Sequence, residues 1–302
     1  MTAERRASQA QEKDRKLLNI LNLAASHLAD RGFENARLNA ELMLCSILEV
    51  RRIELYLQFD RVLSAEELIA YREMMRERLR YVPLQYITGE TEFMALSFWM
   101  DRTVFIPRPE TEQLVEAVLQ ELKGTTEETT IADVGTGCGA IAIALARGIP
   151  AARVYAIDSS EDALALAARN AQRNHVEDRV TLLGGDLLDP MVDVDVKGML
   201  RAIVSNPPYV RTEEISRLPE EIREYEPLSA LDGGADGLVF YRRLVPEALP
   251  FLAGGGWLAL EIGADQTDPV LELIREHGGF DTVRVIRDLN GLNRAILARR
   301  SV

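Results

Sequence analysis

The apolar run Ile131-Ala132-Asp133-Val134 passes into three glycines within five residues, Gly135-Thr136-Gly137-Cys138-Gly139. A second apolar run follows at once, from Ala140 to Ala146. This is the pattern of a strand, a tight turn and a helix start, and it constrains the fold more than any other stretch. Glycine is needed because the turn must be sharp and the backbone must come close to whatever binds there.

The rhythm continues to the C-terminus. The strands predicted are Thr130–Val134, Arg153–Ile157, Val180–Leu183, Arg201–Ser205, Gly256–Ile262, Thr282–Arg287 and Arg294–Leu297, with helical segments between most of them. Alternating strands and helices give a mainly parallel sheet covered on both faces, so the expected class is α/β with a Rossmann-like, seven-stranded sheet.

The first 80 residues read differently. Leu17, Leu21, Ala24 and Leu28 recur at helical spacing up to Gly32, and Leu38, Leu42, Cys45 and Leu48 repeat the pattern. Ser64 and Glu67 form a capping box ahead of a third helix that buries Leu68, Met75 and Leu79. Tyr86 to Phe105 is rich in aromatic and β-branched residues and reads as a β-hairpin with Gly89 at its turn. Pro107-Arg108-Pro109 cannot sit inside a helix or a central strand, and a helix burying Leu114, Val115, Val118, Leu119 and Leu122 follows it. The expected organisation is a helical substrate-docking domain over 1–82, a hairpin linker over 83–106 and a catalytic domain over 107–302.

Charge and cysteine usage narrow the function classes. Of the net charge of −13, the first 80 residues contribute almost nothing, with 14 basic and 13 acidic side chains; the remainder carries 21 and 35. An acidic body repels a phosphate backbone, which argues against direct nucleic-acid binding. Cys45 and Cys138 lie far apart and His27, His175 and His277 are scattered, so neither a disulfide framework nor a metal site is expected. The polar N-terminus lacks the apolar core of a signal peptide, and the most apolar stretch is too short to span a bilayer. The chain reads as a soluble cytoplasmic protein with no membrane partner.

The glycine loop by itself admits two cofactors. Gly135-x-Gly137-x-x-Ala140 satisfies the dinucleotide fingerprint, and Asp158 at the end of the next strand is placed to accept from both ribose hydroxyls. Two features favour S-adenosylmethionine: the closely spaced Gly135, Gly137 and Gly139, and Asp133, whose negative charge suits a cationic amino-acid group and would repel a pyrophosphate. Thr136 and Cys138 complete the loop; Cys138 has no histidine near it in sequence to activate it as a nucleophile. After the third strand, Asp186 is placed to accept from an adenine amino group while Leu187 packs on the ring.

The second motif is Asn206-Pro207-Pro208-Tyr209, directly after the predicted fourth strand. Two prolines fix φ and remove two donors, and Asn206 is pushed out of the α region. The result is a stiff turn that presents acceptors. Such a turn suits a planar NH₂ group, whose nitrogen lone pair is delocalised. If the Asn206 side-chain oxygen and the Pro207 carbonyl each accept one N–H, the nitrogen is drawn towards tetrahedral geometry and its lone pair is aimed at an electrophilic methyl. Tyr209 can stack on the flat group. The turn alone leaves nucleobases and glutamine side chains equally open.

Further stretches discriminate. Pro83-Leu84-Gln85-Tyr86-Ile87-Thr88-Gly89, Ile106-Pro107-Arg108-Pro109-Glu110-Thr111-Glu112, Asp133 to Ile141, Glu226-Pro227 and Ala230 to Leu238 together resemble the HemK/PrmC family of release-factor glutamine methyltransferases. The resemblance covers nearly the whole chain. It implies a class I fold and transfer of a methyl group from S-adenosylmethionine to the glutamine amide of the Gly-Gly-Gln motif in peptide chain release factors, yielding S-adenosylhomocysteine. It also implies that Gly135 to Gly139 and Asp158 hold the cofactor, that Asn206 to Tyr209 hold the glutamine with Asn206 touching both, and that Pro107 to Glu112 line the cofactor pocket. Leu187 stands where some relatives carry an aromatic residue. The alternatives are a DNA amino-methyltransferase and a ribosomal-protein glutamine methyltransferase; the absence of a basic target-recognition region weighs against the first, and the Pro107–Glu112 form against the second.

Overall fold

The computed structural model describes residues 15–124, 128–288 and 290–302. The chain divides into two compact units at the Gly89–Glu90 junction.

The first unit is helical: α1 (Leu17–Asp30), α2 (Ala36–Leu48), α3 (Arg52–Tyr56), α4 (Ala65–Arg78) and α5 (Leu84–Thr88). In α1 the buried residues are Leu17, Leu21, Ala24 and Leu28, as the periodicity predicts. The capping box also forms: Ser64 Oγ accepts from Glu67 N at 3.1 Å, and Glu67 Oε2 accepts from Ser64 N at 2.7 Å. α2 departs from expectation. Its buried face runs through Ala40, Met43, Leu44 and Cys45, with Leu38, Leu42 and Leu48 only half-buried. The cause is two polar side chains that pattern reading assigns to solvent. Glu41 is buried, accepting from Arg37, Arg52 and Tyr56. Asn39 is buried too, accepting from Arg78 Nε at 2.7 Å, while the Arg78 guanidinium stacks 4.6 Å over Phe33.

The expected hairpin is shorter than its composition suggests. Leu84–Thr88 is helical because Pro83 supplies an extended cap and Gly89, at φ +76°, ends the turn. Gly89 is thus a helix cap and not the hairpin turn. The strands are β1 (Glu90–Phe93) and β2 (Leu96–Trp99), and the turn is Met94-Ala95, both at positive φ. Glu112 Oε1 accepts from Met94 N at 2.6 Å and holds that turn.

The rest of the second unit comprises α6 (Pro109–Glu121), β3 (Thr129–Val134), α7 (Ala140–Gly148), β4 (Ala152–Asp158), α8 (Glu161–Arg173), β5 (Val180–Gly184), β6 (Leu200–Ser205), α9 (Glu220–Arg223), α10 (Val239–Ala248), β7 (Leu252–Glu261), α11 (Thr267–His277), β8 (Phe280–Arg287) and β9 (Asn293–Arg300). Pro109 opens α6 at its first position, where a missing N–H costs nothing. The sheet order is β5-β4-β3-β6-β7-β9-β8; β9 runs antiparallel to both neighbours and the other pairs are parallel. α6, α7 and α8 pack side by side and α10 packs on α11, which gives the sheet two helical layers.

β7 begins at Leu252, four residues before the predicted start. Gly254-Gly255-Gly256 reads as a turn, but the strand absorbs it through a register shift between Leu200 and Ala202. A Cβ on Gly256 would stand 2.7 Å from the Leu200 carbonyl oxygen, so only glycine lets the two strands close there.

β3 pairs with β4 on one side and β6 on the other, so the chain reverses its winding direction at β3. In an open α/β sheet the crevice beyond the carboxyl ends of such strands is the natural ligand site.

Candidate active site

A cavity of about 610 Å³ occupies that crevice. Its walls are the glycine turn after β3, the Ile157–Ser160 end of β4, Gly185–Leu187 after β5 and Ser205–Val210 after β6. Thr103–Phe105, Pro107, Thr111 and Pro227–Leu231 close the remaining side, apart from Leu228. Both sequence motifs therefore face one space.

The glycine turn is held from behind. Gly135 N and Thr136 N both donate to the Ile157 carbonyl at 2.9 Å, and Gly137 N donates to Asp158 Oδ2 at 2.8 Å. The three glycines have φ of +75°, +56° and +87°. At Gly135 and Gly137 a Cβ would meet nothing within 4 Å, so these residues leave open space on the cavity side. Gly139 is different. It caps α7, and a Cβ there would lie 2.9 Å from Ile143 Cδ1 and 3.2 Å from Ala167 Cβ. Gly139 does not line the cavity; it lets α7 pack on α8.

Asp133 also departs from the sequence reading. It is fully buried and does not line the cavity. Its Oδ2 accepts from the Thr136 hydroxyl at 2.6 Å and from Ala142 N at 3.0 Å, so it braces the turn against the first turn of α7. Oδ1 has no hydrogen-bond partner, and burial pushes the carboxyl up to about 7. Periodicity could not reveal this, because an acid at a strand end reads the same whether it faces a ligand or the interior. Asp158 does face the cavity. Its Oδ1 accepts from Ser160 N at 2.9 Å, and each oxygen keeps a lone pair free. Cys138 lines the cavity but is buried, and burial pushes its thiol up to about 12, which makes it inert as a nucleophile.

Asp186 and Leu187 both line the cavity. The Asp186 carboxylate accepts from Arg243 at 2.8 Å. Leu187 is buried at φ +46°, a left-handed conformation that turns its side chain into the core beside the cavity.

The turn after β6 is anchored at both ends. Ser205 Oγ donates to the Val134 carbonyl at 2.7 Å, tying β6 to β3. Gln266 Nε2 donates to the Tyr209 carbonyl at 2.9 Å. Between these points, Asn206 Nδ2 donates to Thr111 Oγ1 at 3.2 Å. The backbone of Gly233 presses against the turn: a Cβ there would stand 2.8 Å from both the Pro208 oxygen and Tyr209 Cα. The Tyr209 hydroxyl lies 3.5 Å from Glu261 Oε1, and burial drives its phenol well above the usual range.

Sequence reading missed Thr111 as a contact of Asn206, along with Glu261, Gln266 and Gly233. The segments Pro109–Glu112 and Ala230–Leu238 carry a signal, since both stand out as distinctive stretches. Glu261 and Gln266 carry none. The Arg108 guanidinium pairs with the buried Glu226 carboxylate, which also accepts from Ile106 N. This joins the Phe105–Pro107 wall to the Pro227 wall.

Among the described residues, no group of three or more His, Cys, Asp or Glu is placed to hold a metal ion, and no helix is long and apolar enough to cross a membrane.

Comparison with known proteins agrees with this architecture. Residues 19–89 match the PrmC N-terminal domain family, and residues 97–223 match the Methyltransferase small domain family. A release factor glutamine methyltransferase of Geobacter sulfurreducens is 42% identical over 280 residues, which cover 93% of this chain and 95% of the relative. The chain belongs to the release factor glutamine methyltransferase family. Another family member, from Moorella thermoacetica, is 44% identical over 94% of this chain and 98% of its own length. Among solved structures, the hMettl16 catalytic domain in complex with the MAT2A 3'UTR hairpin 6 superposes with a TM-score of 0.54 at 16% identity, covering 79% of this chain and 84% of that one, which is a likeness of fold alone. The resemblance read from the motifs is thus the family shown, and the sheet order is that of a class I methyltransferase.

Proposed function

We propose that this chain transfers a methyl group from S-adenosylmethionine to the side-chain amide nitrogen of a glutamine in peptide chain release factors, at the Gly-Gly-Gln motif. The observation that carries the reading is that Asn206-Pro207-Pro208-Tyr209 and the glycine turn face one cavity in a chain that aligns with release factor glutamine methyltransferases over nearly its whole length.

The residues present fit that cofactor. Gly135 and Gly137 leave the open space that an amino-acid moiety needs against the backbone, and Asp158 offers acceptors to ribose hydroxyls. Asp186 and Leu187, which line the cavity, would meet the adenine, while Thr136, Cys138 and Gly139 complete the turn that would shape the cradle. When bound, the cofactor supplies an electrophilic methyl carried on a sulfonium. The chain's own task is to prepare the nitrogen. Asn206 Oδ1 and the Pro207 carbonyl accept its two N–H groups, and the fixed φ of Pro207 and Pro208 keeps these acceptors from relaxing. The Tyr209 ring covers the flat face of the amide. No base is required before transfer, because the methylated nitrogen is strongly acidic and sheds its proton afterwards.

The helical unit, taken as residues 1–82, serves as the docking element for the release factor, and the enzyme works in the cytoplasm without direct nucleic-acid contacts. The acidic composition of residues 81–302 opposes a DNA amino-methyltransferase reading.

The test uses labelled cofactor and two purified release factors, one wild-type and one with the Gly-Gly-Gln glutamine replaced. Label is expected only in the first. Equal label in both would remove the glutamine assignment.

A further inference from the structure

Asn170 lies in α8, is fully buried and does not line the cavity. Its carboxamide joins two stretches that are far apart in the chain. Oδ1 accepts from Trp99 N at 2.7 Å, while Nδ2 donates to the Trp99 carbonyl at 3.1 Å and to the Cys138 carbonyl at 2.9 Å. A carboxamide can often be turned end for end at little cost, but not here. Its oxygen meets an N–H and its nitrogen meets two carbonyls, so one orientation alone satisfies all three groups. Trp99 ends β2, and Cys138 stands in the glycine turn.

We propose that Asn170 is a positioning residue for the cofactor: it holds the second half of the glycine turn in register with the Thr103–Phe105 wall and so keeps the cavity in its binding shape before a cofactor enters. This rests on the reading of the cavity as the S-adenosylmethionine site.

The need follows from the glycines. Positive φ at Gly135, Gly137 and Gly139 gives the turn its shape, but glycine also gives the backbone freedom to leave that shape. The first half of the turn is fixed by the end of β4, through the Ile157 carbonyl and the Asp158 carboxylate. The second half depends on the Cys138–Gly139 peptide. Its N–H donates to the Thr136 carbonyl at 2.9 Å, within the turn, and its C=O is held from outside by Asn170. The two groups leave opposite edges of one peptide plane, so the plane cannot rotate without breaking both bonds.

The other end of the link fixes the opposite wall. In a strand the N–H and C=O of one residue point to the same side, so a single carboxamide serves Trp99 as a neighbouring strand would. Met100, Asp101 and Arg102 alone separate Trp99 from the Thr103–Phe105 wall. Met100 is buried, and Asp101 Oδ1 accepts from Thr103 N at 2.9 Å, so the connection is short and tied. The end of α8 grips the hairpin elsewhere too. The Arg173 guanidinium stacks 3.9 Å over the Trp99 ring and pairs with Glu90 at 3.0 Å, and Asn174 Nδ2 donates to the Ser97 carbonyl at 3.0 Å. Those contacts secure the hairpin; of this set, only the Asn170 bonds reach both walls.

The test uses the full chain with S-adenosylhomocysteine, and with labelled S-adenosylmethionine and a release factor for kinetics. Asn170→Ala removes the link. Asn170→Asp keeps the size and the acceptor for Trp99 N but sets a carboxylate against two carbonyl oxygens. Asn174→Ala removes a hairpin contact that does not reach the glycine turn. In Asn170→Ala, affinity for S-adenosylhomocysteine, measured by calorimetry, is expected to fall by about 10-fold or more. KM for S-adenosylmethionine should rise in step while kcat stays within about threefold, because the ordering of the turn is then charged to cofactor binding. Asn170→Asp should bind more weakly still. Asn174→Ala should lose thermal stability and keep cofactor-product affinity within about twofold. A role in stability alone predicts a lowered Tm with unchanged affinity in Asn170→Ala; that result, or an equal loss of affinity in Asn174→Ala, would overturn the proposal. A measurement on the unaltered protein stands whether or not the variants fold. S-adenosylhomocysteine should slow hydrogen exchange at the Trp99 N–H more than at the other amides of the hairpin, although Trp99 does not line the cavity, and uniform slowing would count against the link. If the wild type bound S-adenosylhomocysteine but labelled no release factor, the functional reading would fall, while the affinity of Asn170→Ala would still decide the role of Asn170.

Discussion

Gln266 Nε2 lies 2.9 Å from the Tyr209 carbonyl oxygen and 3.2 Å from that of Gly237, while Gln266 Oε1 accepts from Gly263 N at 3.0 Å. One buried side chain thereby closes three backbone groups beneath the substrate turn. It also removes the Tyr209 carbonyl from the set of acceptors offered to a ligand, so the turn addresses the cavity through Asn206 and Pro207. Gln266→Leu leaves those three groups unpaired, at roughly 1–3 kcal/mol for each. A loss of stability of roughly 2–5 kcal/mol is expected, since partial relaxation offsets part of the sum. Urea denaturation measures it, and kcat should fall more than cofactor affinity does.

Gly233 is required for proximity, not for backbone freedom. An added methyl would stand 2.8 Å from the Pro208 oxygen and from Tyr209 Cα, both backbone atoms that cannot swing aside. Gly233→Ala should displace the turn and lower kcat by about 10-fold to 100-fold, because small misplacements at a reacting centre are costly. Cofactor affinity, measured by calorimetry, should stay near normal because the glycine turn lies on other strands. Gly139→Ala is the converse case. Its φ of +87° and its contact with Ala167 disturb the packing of α7 on α8, so cofactor affinity and stability should fall together.

Asn206→Ala removes the acceptor without touching the glycine turn. Most of the turnover should be lost, with cofactor binding retained within about tenfold. Single-turnover kinetics with a saturating release factor checks this, and near-normal turnover would contradict the role given to Asn206.

Asp133 predicts a pH effect on stability. Its folded-state value of about 7 lies above the ordinary 3.8, so folding favours the protonated form. That contribution is complete below about pH 4 and is lost as the pH rises through about 7, a difference of roughly 4 kcal/mol. Asp133→Asn imitates the neutral side chain and cannot ionise. Unfolding free energies of the two proteins should diverge between pH 4 and 7 in favour of the variant. Parallel curves would show that the carboxyl does not titrate with folding.

The local rules in the sequence decided a good deal. Alternating apolar runs located all seven strands of the large sheet: the central ones because a strand buried on both faces must be apolar, and the exposed edge strand β8 because its β-branched residues recur between polar ones. Gly135 to Gly139 and Asn206 to Tyr209 named the two walls of the cavity because both are backbone devices, and backbone devices are written in adjacent residues. The limits appear where a side chain's partner lies far along the chain. Nothing near Asp133 distinguishes an acid that faces a ligand from one that braces Thr136 and Ala142. Nothing near Glu41 or Arg78 announces that each is buried among partners that satisfy it. Gly254-Gly255-Gly256 has the composition of a turn, and only pairing with Leu200 makes it part of β7. The same holds for Asn206. The sequence by itself supplied a carboxamide on a rigid turn; the tertiary structure brought Thr111 from α6 to that carboxamide, because hydrogen-bond partners depend on which groups folding buries together, and residues 95 positions apart meet only in three dimensions.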